Sequence, residues 1–229
     1  MTGPASTHAH PHTHAHPRTD PPEDTAALVH GEPLARARVD AFLKTVPSRD
    51  RETRPEALAR AERQRRRWAT QVVVADELAR RACFTRGLRV PEKVSPSRLL
   101  TASEADVADL GSIVAAVLAH SPAARALLDR FEDEQEIPEA AVRDYYDRNR
   151  DRFLTPEALR RGVDPFDEPT PADVLPYERA REGIQRELRR AAAHRTFFAW
   201  LDQARTHVIY TPGHEHPGDP THPDHEHRH

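Results

Sequence analysis

The sequence predicts an all-α fold: a helical bundle with a short two-stranded β pairing between its N- and C-terminal ends and disordered histidine-rich tails. Three observations lead there. Apolar residues recur three and four positions apart through most of the stretch from Arg36 to Arg205, which is helical spacing. Two short stretches near the ends of that body, "AALV" and "THVIY", read as strands. Both chain ends are runs of His, Pro and Asp or Thr without hydrophobic periodicity.

These features divide the chain into a disordered His-rich arm (residues 1–26), a helical body (27–210) and a disordered His-rich tail (211–229). In the body, "AALVHGEPLAR" reads as a small strand, a turn at His30-Gly31 and a short return into a helix. Val39, Phe42, Leu43 and Val46 repeat at helical spacing until Pro47 stops them. Pro55 opens a long helix whose apolar stripe is Trp68, Val72, Ala75, Ala79 and Ala82, with Gly87 as its stop. On it, Arg63 to Arg67 read as a solvated face, and Cys83 as a buried, inert thiol.

After a proline-punctuated loop, Ser103 caps a helix with Asp106 in the capping-box position and Val107, Leu110, Val114, Val117 and Leu118 inward. Ser121-Pro122 starts a shorter helix through Phe131, and Ile137-Pro138 another through Phe153. Residues 155–176 read as a loop. A final helix from Tyr177 to Arg205 buries Ile184, Leu188, Ala191, Phe198 and Leu201, and "THVIY" closes the body as a strand. Two isolated short strands are weak alone, so they are expected to pair. Trp68, Tyr145, Phe153 and Trp200 are expected to lie substantially buried between helices.

Composition excludes several functions. The 229 residues suffice for one domain or two small ones. A net charge of -3 argues against a nucleic-acid partner recruited by bulk positive charge. The single Cys83 rules out an intrachain disulfide and a cysteine zinc framework. No run approaches the ~18 apolar residues of a membrane span, and no secretory signal stands at the N-terminus. The expected location is the cytoplasm, with neither nucleic acid nor membrane as partner.

Catalytic arrangements are missing as well. There is no G-x-S-x-G elbow, no phosphate-cradling glycine loop, no G-x-G-x-x-G and no H-E-x-x-H. His30, His120 and His194 have no spacing that unites them. Asp144 and Asp147 lie one helical turn apart among arginines and read as surface ion pairs. No catalytic residue and no required cofactor are assigned. An acyltransferase, for instance, would need an activated Ser or Cys that the sequence does not offer.

Three stretches, in order, resemble the SurA/PrsA-type foldases, the parvulin-associated chaperones. "LVHGEPLARARVDAFL" looks like their opening strand, turn and helix. "EIPEAAVRDYYDRNRDRFLTPEALR" resembles their Tyr-Tyr-Asp segment, with Tyr145, Tyr146, Asp147, Asn149, Phe153, Pro156 and Glu157 at its positions. "YERAREGIQRELRRAAAHRTFFAWLDQARTHVIY" is similar to the C-terminal helix and strand that pack back on that domain. The resemblance implies a SurA N-terminal-domain-like helical cradle that holds unfolded or partly folded polypeptides. It departs from the family where the prolyl isomerase usually stands: 23 residues separate Phe153 from Tyr177, too few for that domain. A chaperone-type binding module without isomerase activity is therefore expected.

The tails carry the remaining chemistry. The first offers His8, His10, His12, His14 and His16. The second offers His214, His216, His222, His225, His227 and His229, with Glu215, Asp219, Asp224 and Glu226 between them. Neutral imidazoles spaced along an unfolded strand can wrap a divalent transition metal, and the mixed carboxylates suit Zn or Ni. Such a flexible site loses entropy on binding and is expected to be loose. The same residues fit a rival function, a metallochaperone or metal-storage accessory protein with the body as its platform.

Overall fold

A computed structural model describes residues 22–46, 55–90, 112–167 and 170–216. Strands β1 (Thr25–Val29) and β2 (Glu32–Ala35) form a hairpin on the two-residue turn His30-Gly31. Both turn residues have positive φ, 52° and 81°, the combination whose twist suits antiparallel strands. Helices α1 (Arg36–Thr45) and α2 (Pro55–Thr85) follow. Next come α3 (Ser112–His120), α4 (Pro122–Asp133) and α5 (Glu139–Arg148). A 3-10 turn (Arg150–Phe153), α6 (Pro156–Arg161), α7 (Tyr177–Arg205) and β3 (Val208–Tyr210) complete the order.

The expected pairing of the two ends is present. β1 and β3 run antiparallel, with Ala27 opposite Tyr210 and Val29 opposite Val208. The sheet has three strands in the order β2-β1-β3, where two were expected, because the return leg of the hairpin also pairs. Its outer strand β2 carries Pro33, tolerated at an edge because no ladder bond is demanded of its nitrogen.

Helix α2 is the axle. It contacts α1, α3, α4, α7 and β1, and Val72, Ala75 and Ala79 of its predicted stripe are buried. Burial between residues 67 and 75 goes almost all the way round, taking in Arg67, Thr70 and Gln71. Arg65 donates to the carbonyl oxygens of Leu43 (3.1 Å) and Val46 (3.0 Å), satisfying acceptors left over at the end of α1. The arginine cluster is thus not simply a solvated face. Cys83 is 1% exposed, its thiol 3.3 Å from the Ala123 carbonyl, and burial pushes its pKa up. Ser121 caps α4, its hydroxyl accepting from Ala124 N–H at 3.0 Å. The predicted cap Ser103 and Asp106, Val107 and Leu110 lie outside the described residues.

Residues 155–176 are not all loop. Thr155 accepts from Ala158 N–H at 3.3 Å, Pro156 occupies the first turn, and Gly162 at φ 70° ends α6. The return is fastened by Asp173, whose carboxylate accepts from Thr170 N–H (2.9 Å) and Thr170 O–H (2.6 Å) and pairs with Arg161.

Helix α7 serves two apolar clusters. Near its start Tyr177, Ala180 and Ile184 pack on Val142 of α5. Further on, Ala193, Phe197 and Leu201 enter the larger core built on α2 and α4. At roughly 100° per residue, the second set lies about 140° round the helix from the first. The single stripe predicted from the sequence therefore keeps Ile184 and Leu201 but loses Phe198 and Ala191, which are only partly buried, to Phe197 and Ala193. Trp68, Tyr145, Phe153 and Trp200 all pack against a core cluster while remaining partly exposed.

Candidate functional site

The Tyr-Tyr-Asp segment is a fastener. Tyr146 donates to the Leu175 carbonyl at 2.6 Å and stacks near Phe153, ring centroids 4.9 Å apart. Tyr145 donates to Glu187 at 2.7 Å, and Arg152 reaches the same carboxylate oxygen at 2.7 Å. Asn149 turns back to the Tyr145 carbonyl at 2.7 Å. These bonds tie α5 and the 3-10 turn to the first half of α7. Asp144 pairs with Arg148, and Asp147 with Arg150 at 4.0 Å, on exposed surface. They are helix-face ion pairs, as their spacing implied.

The chemistry-bearing cluster lies where the chain ends meet α2. Thr211 N–H donates to the Ala26 carbonyl at 3.1 Å, and its hydroxyl contacts the Thr25 carbonyl at 2.8 Å. Gly213, at φ 87°, then turns the chain inward. His214 falls against α2, 3% exposed, with Nδ1 2.8 Å from Thr70 Oγ1. Gln71 donates to the His214 carbonyl at 3.4 Å and accepts from the Tyr210 hydroxyl at 2.8 Å. Arg67, whose side chain is 2% exposed, lies 3.4 Å from Glu215, whose carboxylate also accepts from Gly213 N–H at 2.9 Å. Burial pushes the Tyr210 phenol up to about 12. Burial first, and then Arg36 and Arg66, hold His214 below the usual imidazole range.

This corrects the boundary of the tail. Residues 211–216 belong to the folded body, and His214 is a docked core residue, where a free tail ligand was expected. Loose metal binding needs an imidazole that can move; this one is fixed by Thr70. His216 is exposed. His8, His10, His12, His14, His16, His222, His225, His227 and His229 lie outside the described residues. Among the described residues, no group of three or more His, Cys, Asp or Glu could hold a metal ion, and no helix is long and apolar enough to cross a membrane.

Sequence reasoning missed Arg67, Thr70 and Gln71. Their spacing (i, i+3, i+4) marks a polar stripe on one face of a helix otherwise rich in valine and alanine there. Large apolar side chains also stand in water: Phe84 on α2 is 87% exposed, Leu159 on α6 60% and Phe166 63%. Comparison with family models, curated proteins and solved structures found no match to this chain.

Proposed function

We propose that the protein is a cytoplasmic, chaperone-like module that holds unfolded or partly folded polypeptides without turning their prolines. The observation that carries this reading is the exposure of Phe84, Leu159 and Phe166, with Leu58, Val90 and Ile209 also exposed among the described residues. Large apolar side chains left in water offer contact area to apolar segments of another chain. The resemblance in the Tyr-Tyr-Asp segment supports the same reading. So does the connection between Phe153 and Tyr177, whose described residues form one short helix and a loop clipped by the Leu154–Val174 bridge.

Near-stoichiometric protein is expected to suppress aggregation of a chemically denatured client. The triple variant Phe84→Ser, Leu159→Ser, Phe166→Ser is expected to lose most of that effect while remaining folded. Prolyl isomerisation of a model peptide is expected to run at the buffer rate. Acceleration of it, or full suppression by the triple variant, would overturn the reading.

The histidine-rich segments support a second property, uptake of Zn or Ni. Its motive is the antiparallel β1–β3 pairing: Thr211 bonds to Ala26, so the residues leading into β1 and those leaving β3 meet at one place. Two arms rooted together raise each other's effective concentration. Calorimetric titration with Zn is expected to show tighter binding by the full chain than by versions lacking residues 1–21 or 217–229. Binding is expected to fade below about pH 6 as imidazoles protonate. If each deletion merely removes its own share of sites at unchanged affinity, the arms act separately.

A further inference from the structure

The antiparallel pairing of β1 with β3 ends on Val29 opposite Val208. One step further along stand two histidines, His30 in the hairpin turn and His207 between α7 and β3. Their rings come together there, with centroids 6.3 Å apart and planes tilted by 42°. Both residues are exposed, and among the described residues neither imidazole takes part in a hydrogen bond or ion pair. His30 is also the one described residue other than glycine with a positive φ, 52°. The first position of such a two-residue turn favours Asn, Asp or Gly. A histidine at that position gives up some turn preference and sets an imidazole beside His207.

We propose that His30 and His207 form a two-histidine site for a divalent transition metal of the class that imidazole suits, Zn, Ni or Cu. Metal–nitrogen bonds of about 2.0–2.1 Å put a shared ion about 3 Å from each ring centre, and the two centres about 5–6 Å apart. The observed 6.3 Å lies at the edge of that range, within reach of a small turn of either exposed ring. Water takes the remaining positions, so the site is open and weaker than one with three or four protein ligands.

A metal held there joins the hairpin turn to the strand that closes the body. The two residues meet only in the folded sheet, so the ion binds the native state and favours it over the unfolded chain. The site lies past the end of β1, about 17 Å along the strand from Thr25. The histidine-rich segments join the chain at the other end of the pairing, where Thr211 bonds to Ala26. The site rests neither on those segments nor on client holding.

Zinc titration of the full chain tests this, read on the imidazole ring signals and carried past one equivalent for each of its 15 histidines. The His30 and His207 signals are expected to move together on one curve. Sharing an ion makes each imidazole an intramolecular ligand for the other, so His207→Gln is expected to weaken the response of His30 about tenfold or more. His30→Asn is expected to do the same to His207. Asn is a residue this turn favours, so in chelator His30→Asn is expected to melt no lower than the wild type, which separates loss of the ion from loss of the fold. If neither ring signal moves with zinc in excess, or if each keeps its midpoint when the other residue is replaced, the shared site does not exist. Uptake by the histidine-rich segments is read on their own ring signals and succeeds or fails separately.

Discussion

Phe197→Ala is expected to destabilise the protein by about 3–5 kcal/mol, the range for emptying a fully packed aromatic site. Phe197 is 1% exposed and lies between Phe131 and Trp200, ring centroids 6.5 Å and 5.3 Å away. Against a domain's ~5–15 kcal/mol, the loss is large. It corresponds to a fall of about 6–20 °C in melting temperature for a chain of this size. Phe198→Ala, one residue on, faces the partly exposed side and is expected to cost clearly less. Thermal melts of the two variants side by side decide the matter. If Phe198→Ala costs as much or more, α7 does not rotate its buried face between the two clusters.

That rotation marks where local patterning stopped being informative. The helices were legible wherever start signals and apolar spacing agreed: Pro55 for α2, Ser121-Pro122 for α4, Ile137-Pro138 for α5. The strand after α7 was legible from its β-branched residues, and its pairing with β1 from the weakness of isolated strands. Helix α6 was missed although Thr155-Pro156 and Gly162 carry the same start and stop chemistry; its one and a half turns contain too few apolar residues to display a period. The face of α7 was misread for another reason. One helix serves two cores, and each stripe is too short to reveal that the second is offset.

The candidate site was least legible. Pro212-Gly213 ends the strand, and a His-rich run after a turn reads as tail. What folds residues 211–216 back is a set of single hydrogen bonds to Thr70, Gln71 and the carbonyls of Thr25 and Ala26. Non-periodic side-chain chemistry of this kind leaves no spacing to read. The Tyr-Tyr-Asp segment shows the converse. Its residues stood out in the sequence, and in the structure they bond to α7 and the turn before it.

The second large effect is expected at Arg67, where a charge is buried at the root of the same segment. Arg67 sits on α2 with its side chain 2% exposed, whereas that of Glu215 is 24% exposed. Taking an ion pair out of water costs several kcal/mol per ion, recovered only through close partners. Arg67→Ala removes both the charge and the aliphatic stem that fills the core, and truncating a buried long side chain costs about 2–5 kcal/mol. Arg67→Met keeps most of the volume and leaves behind only Glu215, which can turn to solvent, so its cost is expected to be much smaller. Glu215→Ala is the harsher test of the pairing, because it withdraws a carboxylate from a guanidinium that stays buried. Chemical denaturation of the three variants separates packing from charge. The expected order of loss is Arg67→Ala first, Glu215→Ala next and Arg67→Met last. If Arg67→Met is as damaging as Arg67→Ala, the charge itself holds the C-terminal segment to α2 and packing contributes little there.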